Sequence, residues 1–328
     1  MNVTEHASRR LLTLAARTLS PAGQRARLTI LIYHRVLPQP DSLQPGCPDR
    51  DALDLQLHWI RSCFQVVPLI QAINDLASGN LPERALCITF DDGYADNFTQ
   101  ALPILKRHKI PATVFVATDY LNGGRMFNDT VIEILRRSTA GEYDLSDIDL
   151  GTLNLTDTAS RIAAIDRILS KVKYLPYTER EQQVARLAAR LNVDLQSLPS
   201  DLMLSTAQLQ KLHQAGIDIG AHTASHPILA TLTDQDAEAD IARSKAQLEA
   251  LLDTEVKLFA YPNGKPGTDY TTRDSALVKK LGFSGAVSTA WGAAHRQTDI
   301  YQLPRFSPWG RTPIRFQLQL LRNLLQRK

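Results

Sequence analysis

Short apolar runs, each ending in a polar or ionisable group and separated by stretches of helical periodicity, constrain this chain more than any other feature. Leu28-Thr29-Ile30-Leu31-Ile32 leads into Tyr33-His34-Arg35, and Ala85-Leu86-Cys87-Ile88 into Thr89-Phe90-Asp91-Asp92-Gly93. Ile217-Asp218-Ile219-Gly220-Ala221 leads into His222. Such runs read as short buried strands bounded by turn residues. The intervening stretches read as helices. In 51–64, Leu53, Leu57, Ile60 and Phe64 fall on one face. Further helices are predicted over 68–78, stopped by Gly79, and over 98–108, 233–252 and 274–281. Ser205-Thr206-Ala207-Gln208 has the form of a capping box, and Gly216 ends that helix. Alternation of this kind predicts an α/β fold, read here as a distorted (β/α) barrel. Barrels of about 200–250 residues are commonly one domain, so 328 residues need not mean two. A hydrophobic content of 44% is ample for such a core. His34, Asp91 with Asp92, His222 and Tyr261 all fall at predicted strand C-terminal ends, where α/β barrels place their active sites.

Neighbouring residues at a strand end point in different directions, so Asp91 and Asp92 can take different tasks. His222-Thr223-Ala224-Ser225-His226 places two imidazoles at i and i+4, which share a face if the backbone turns helically there. Asp92, His222 and His226 together make an open three-ligand site for a divalent metal, and the spare aspartate can act as a base. Each piece alone has a plainer reading. Asp-Asp-Gly after a strand is ordinary turn chemistry, and a lone histidine pair is commonly surface or capping. Two histidines and one carboxylate also suit the iron of a ferrous oxygenase, which the strand–helix alternation and the extra aspartate disfavour.

These motifs resemble the polysaccharide deacetylases, the metal-dependent sugar N-deacetylases of carbohydrate esterase family four. Thr89-Phe90-Asp91-Asp92-Gly93 is similar to their first motif, which implies Asp91 as base and Asp92 as metal ligand. His222-Thr223-Ala224-Ser225-His226 is similar to the second, which implies both histidines as ligands. Phe259-Ala260-Tyr261-Pro262-Asn263-Gly264 resembles, loosely, the third, which lines the groove; Tyr261, Pro262 and Asn263 would then meet substrate, and Tyr94 would stand at the rim. The resemblance covers roughly residues 28–120 and 200–310.

The chain departs from the family twice. The third motif lacks its arginine, and the late Leu-x-His motif reads Leu303-Pro304-Arg305. Arginine keeps its proton near neutral pH and cannot be the general acid. An exopolysaccharide branch of the family has its acid in an early Tyr-His element, similar to Tyr33-His34 here. His34 is therefore the expected acid, with His295 as the rival, and Arg305 is expected to orient Asp91. The implied reaction is hydrolysis of the N-acetyl group of an amino sugar, in a polysaccharide, oligosaccharide or glycolipid. A divalent metal would be held by Asp92, His222 and His226, zinc by preference for nitrogen and oxygen ligands. Asp91 would take a proton from the attacking water, His34 would protonate the leaving amine, and a backbone N–H near Asn263 would help hold the oxyanion. Two alternatives stand beside this: an amidohydrolase acting on a small non-sugar amide, and a non-catalytic glycan-binding relative.

Residues 28–310 are thus expected to form the barrel domain, with an insertion over about 121–200 that reads as helices without strands. There, Ile162, Ile165, Leu169 and Val172 recur at helical spacing, and Thr178 with Glu181 suggests a capping box. Charge is uneven: five arginines and one acid lie in 1–27, five basic residues and no acid in 311–328, and the body between is acidic. Ile314, Leu318, Leu321 and Leu325 add an apolar stripe, so the tail reads as an amphipathic helix that either rests on a membrane surface or docks on the barrel. Cys47, Cys63 and Cys87 form no Cys-x-x-Cys, which argues for a reducing compartment. Arg17 interrupts the apolar stretch after Arg9-Arg10 too early for an export signal. The expected location is cytoplasmic, with peripheral contact at the inner face of the membrane. No nucleic-acid module or aromatic-interleaved basic patch is present.

Overall fold

The computed structural model describes residues 3–326. Within these the chain divides into two compact units, one of residues 40–45 and 122–203, the other of everything else. In chain order the larger unit begins with α1 (Val3–Leu19), β1 (Thr29–Tyr33), α2 (Arg50–Cys63), β2 (Gln65–Val66), α3 (Leu69–Ser78), β3 (Ala85–Phe90), α4 (Leu102–His108) and β4 (Thr113–Val116). The smaller unit carries α5 (Phe127–Arg137), the hairpin β5 (Glu142–Leu145) and β6 (Gly151–Asn154), α6 (Thr158–Val172) and α7 (Tyr177–Arg190). The larger unit resumes with α8 (Thr206–Gln214), β7 (Asp218–Ala221), α9 (Asp234–Leu252), β8 (Leu258–Ala260), α10 (Thr272–Lys280), β9 (Gly285–Val287) and α11 (Pro313–Leu325).

All strands of the larger sheet are parallel, in the order β1-β3-β4-β7-β8-β9, with β2 beside the first residues of β3. Every residue of β1, β3 and β4 is buried, as a sheet covered on both faces requires. Successive strand residues alternate between two cores. Leu31, Ile88, Val114, Ile219 and Phe259 pack with apolar residues of the surrounding helices, such as Leu57, Leu105, Ile241 and Phe316. Ile30, Cys87, Phe115, Leu258 and Val287 meet one another and α3 inside the curl of the sheet. Gly220 belongs on that inner face. A Cβ there would lie 2.4 Å from the Phe115 ring, so the close approach of β7 to β4 needs a residue without one.

Residues 300–306 join the two edges of the sheet. Ala286 N donates to Ile300 O, and Leu303 N to Ala286 O. Phe306 N donates to Ile30 O, and Ile32 N to Phe306 O. This irregular last stave gives the expected distorted (β/α) barrel and places Arg305 between β9 and β1.

Helix limits follow local chemistry. Asp49 caps α2 by accepting from Ala52 N at 2.7 Å, and Ser205 and Gln208 exchange both bonds of the capping box. The terminal segments fold onto the barrel. α1 packs against α2 and α11, and α11 buries Phe316, Leu320 and Leu324. The stripe read from the sequence lies on another face of α11: Ile314, Leu318 and Leu325 are exposed and Leu321 is buried. Two of the tail's five basic residues, Arg327 and Lys328, lie outside the described residues. Among the described residues, no helix is long and apolar enough to cross a membrane.

The smaller unit has its own core of Leu43, Val131, Leu135, Leu153, Ile165, Val184 and Leu187. Its hairpin corrects the expectation of helices alone. Of the eight strand residues only Leu145 and Leu153 are buried, so no apolar run marked them. Helix α7 starts at Tyr177 with Pro176 at its cap, and Thr178 lies inside the helix instead of capping it.

Candidate functional site

Residues that end β1, β3 and β7, together with Arg305, bring the candidate groups to the C-terminal end of the sheet. Asp91 follows β3 directly and is 2% exposed. Arg305, fully buried, grips it with both ends of its guanidinium, Nη1 to Oδ1 at 2.7 Å and Nη2 to Oδ2 at 2.6 Å. The rest of the fork is fixed too: Nε donates to Ser288 O at 2.9 Å, and Nη1 to Thr89 Oγ1 at 3.2 Å. Burial alone would raise the Asp91 carboxyl, but the charge and hydrogen bonds of Arg305 win and hold it below the usual carboxylate range.

Asp92 turns away because its backbone is left-handed, φ +76°, and Gly93 continues at +84°. Its Oδ1 is buried without a hydrogen-bond partner, 3.3 Å from His222 Nε2 and 3.4 Å from His226 Nε2. His222 Nδ1 lies 2.7 Å from Ala260 O, which fixes that nitrogen as the donor, so in the neutral imidazole the lone pair is on Nε2, aimed at the carboxylate. Two lone-pair atoms facing each other in a buried pocket repel unless a cation lies between them. The three ligand atoms are all within 4.8 Å of one another, so this donor set fits a divalent metal. The carbonyl of Ala260 is the outer partner that metal-binding histidines commonly have. Burial would push the Asp92 carboxyl up, but with no cation bound protonated imidazoles would turn N–H groups to Oδ1 instead, and as donors they would outweigh burial and bring it well below its ordinary value.

The two histidines do not share a helical face. β7 ends at Ala221, and the loop beyond it brings His226 back through left-handed residues at Thr223 (φ +63°) and His226 itself (φ +54°). Asp240 on α9 holds this loop, accepting from Ala224 N at 2.7 Å, Ser225 N at 3.2 Å and Ser225 Oγ at 2.7 Å. It went unnoticed in the sequence because an acid in a polar helix carries no mark of its target.

His34 is exposed at the end of β1, near enough to act electrostatically on both Asp91 and Asp92. Its turn is held from behind. Asn97 Nδ2 donates to His34 O at 2.8 Å, Val36 N donates to Asp96 Oδ1 at 3.0 Å, and Arg35 Nε donates to Asp96 Oδ2 at 2.9 Å. The rival His295 stands at the other end of the barrel, since Ala294 exchanges backbone hydrogen bonds with Leu28 at the start of β1.

The groove residues expected from the sequence are placed otherwise. Tyr94 is 1% exposed and lies under the Arg35 guanidinium, so its ring is not at a rim. Tyr261 is fully buried, stacked on Tyr270 at 3.8 Å, with its hydroxyl donating to Tyr301 O at 2.9 Å. Both are large, apolar-bodied residues beside strand ends, and packing claims them. Pro262 is buried, whereas Asn263 is partly exposed in a left-handed turn (φ +57°), its carbonyl accepting from Thr289 Oγ1.

Comparison with known proteins gives the family and the fold. A protein of Bacillus subtilis (strain 168), YxkH, whose own assignment as a polysaccharide deacetylase is provisional, is 22% identical over 282 residues, 85% of this chain and 71% of that protein. The poly-β-1,6-N-acetyl-D-glucosamine N-deacetylase of Staphylococcus epidermidis is 27% identical over 101 residues, only 30% of this chain and 35% of that enzyme. The fold is shared with the Streptococcus pyogenes deacetylase PplD, solved in complex with acetate, at a TM-score of 0.59 and 18% identity over 92% of this chain and 99% of that one. The family model for polysaccharide deacetylase matches residues 78–145 and 155–286, spanning Asp91, Asp92, His222 and His226 but neither His34 nor Arg305. The chain belongs to the polysaccharide deacetylase family and is a sugar N-deacetylase built on a distorted (β/α) barrel.

Proposed function

We propose that the reaction is metal-dependent hydrolysis of the N-acetyl group of an amino sugar within a polysaccharide, oligosaccharide or glycolipid, releasing acetate. The observation that carries this reading is a buried carboxylate clamped by arginine beside an orphaned carboxylate facing two imidazoles. Asp92, His222 and His226 would hold the cation, and zinc suits one oxygen and two nitrogens. When bound, that cation supplies Lewis acidity, making water more acidic and polarising the acetyl carbonyl. Asp91 accepts a proton from the attacking water; Arg305 keeps it ionised and fixes its angle. His34, exposed where a substrate can reach it, donates a proton to the departing amine. Water and an acetamide thus become acetate and a free amino group.

The test is acetate release from N-acetylated sugars and oligosaccharides, set against turnover of non-sugar amides. Activity should vanish with chelator and return with zinc. Asp92→Ala, His222→Ala and His226→Ala should each lower metal content and turnover together, whereas Asp91→Asn should keep the metal and lose turnover. Full metal content in both histidine variants would remove the basis for the ligand assignment. Turnover confined to non-sugar amides would favour the amidohydrolase alternative.

A further inference from the structure

Three guanidinium groups converge on an open cleft of about 440 Å³ at the start of β3. Arg10 and Arg17 reach it from α1, and Arg84 from the residue before β3, with Thr13, Ser62 and Glu83 between them. The whole length of β3 separates Arg84 from Asp91, about 20 Å at the usual strand rise. The cleft is therefore distinct from the ligand trio.

One carboxylate serves these cations. Glu83 Oε2 lies 2.8 Å from Arg17 Nε, and its Oε1 accepts from Arg84 Nη2 at 2.9 Å. Among the described residues Arg10 has no carboxylate partner, so the walls carry three positive charges against one negative. Arg84 is held in an uncommon pose as well. Its backbone is left-handed, φ +56°, which a residue without a Cβ adopts at less cost. Its Nη1 donates to Cys63 O at 3.1 Å, but its Nε is buried with no acceptor. A guanidinium fixed at one end and short of acceptors suits a ligand with several anionic oxygens.

Apolar side chains stand beside the charges. Leu14 lines the cleft at 61% exposure, and Leu11 on the same helix is 68% exposed. α11, packed against α1, exposes Ile314 and Leu318 too. Arginine interleaved with exposed leucine fits the boundary of an anionic bilayer, where cations meet headgroups and apolar chains leave water.

We infer that the cleft under α1 seats the phosphate of an anionic lipid headgroup, with Leu11 and Leu14 entering the acyl boundary. Guanidinium forks engage phosphate oxygens in pairs, which an ammonium cannot do. Lipid binding and hydrolysis would then use opposite ends of β3.

The test measures binding of the full chain to phosphatidylcholine vesicles carrying phosphatidylglycerol or, at equal surface potential, oleate. The wild type should prefer phosphatidylglycerol. Arg10→Gln with Arg17→Gln should raise the Kd for those vesicles about thirtyfold, the scale of two basic groups lost beside an anionic surface. Lys211→Gln with Arg186→Gln, the same charge change at exposed sites elsewhere, should raise it far less. Arg84→Lys should erase the preference for phosphatidylglycerol over oleate; where that variant fails to fold, the Arg10 and Arg17 pair decides. Leu11→Gln with Leu14→Gln should also weaken vesicle binding. Equal losses in the two charge-changed pairs, or equal wild-type binding to both vesicles, would reduce the cleft to general charge and overturn the proposal. Vesicle binding untouched in the leucine variant would overturn the lipid assignment. Calorimetric binding of inorganic phosphate, lost in the Arg10 and Arg17 variant, would in that case give the cleft to a soluble phosphate.

Discussion

Arg305 offers the sharpest perturbation because it and Asp91 are both removed from water, at 0% and 2% exposure. Arg305→Met keeps the length of the stem and deletes the charge. Asp91 would then be a buried carboxylate whose strongest offsetting charge and hydrogen bonds are gone, so burial would control its protonation. Breaking a buried pair from one side costs about 3–5 kcal/mol. That is a large share of the roughly 5–15 kcal/mol that holds a domain folded. Asp91→Leu alone should be costly in the same way, leaving a guanidinium unpaired. The double variant removes both charges and should lose clearly less than the sum of the singles. Denaturant unfolding of the four proteins gives the coupling energy directly. Additive losses would refute the claim that Arg305 and Asp91 act as one unit. Arg305→Lys separates charge from geometry, because an ammonium cannot reproduce the two-pronged grip. It should fold, keep its metal and lose kcat.

Four further outcomes follow from the geometry. His34→Ala should keep metal while losing on the order of 10²–10⁴ in rate, and His295→Ala, at the opposite end of β1, should change little; a collapse in His295→Ala alone would reverse the assignment. Gly220→Ala should cost about 1–3 kcal/mol in denaturant unfolding, because its Cβ would meet the Phe115 ring; unchanged stability would mean the ring can give way. Asp41 lies below the usual carboxylate range, as the hydrogen bonds from Arg136 outweigh its burial. That stability is present above about pH 3.9 and lost as pH falls through the lower folded value, so Asp41→Asn should flatten acid unfolding of the smaller unit, followed by circular dichroism. For the membrane we propose contact through the outer stripe of α11, so Ile314→Gln, Leu318→Gln and Leu325→Gln combined should reduce sedimentation with anionic vesicles and leave the fold intact. Deleting the helix would be a poor test, since Phe316, Leu320 and Leu324 belong to the core.

What the sequence disclosed was whatever periodicity or motif could carry. The all-buried runs of β1 and β3 and the capping box at Ser205 were legible because apolar continuity and cap chemistry are local. The β5–β6 hairpin was not, as its strands are mostly polar. In the candidate site, Asp91, Asp92, His222 and His226 were legible from motif spacing, but the left-handed path between the histidines was not. Asp240, Asp96 and Asn97 escaped because their meaning lies in partners 15 to 63 residues away. Tyr94 and Tyr261 misled because an aromatic beside a motif can pack inward as readily as it can line a groove.

The stave that joins β9 to β1 has a consequence for how the site is born. Both motifs proposed to hold the cation precede residue 227, whereas the guanidinium that grips Asp91 arrives only with Arg305. On a ribosome, the nascent chain would therefore present the proposed ligand trio long before Arg305 can pair with Asp91. In the proposed mechanism, chemistry would wait for the segment that seals the wall, and an incompletely closed barrel would be inactive.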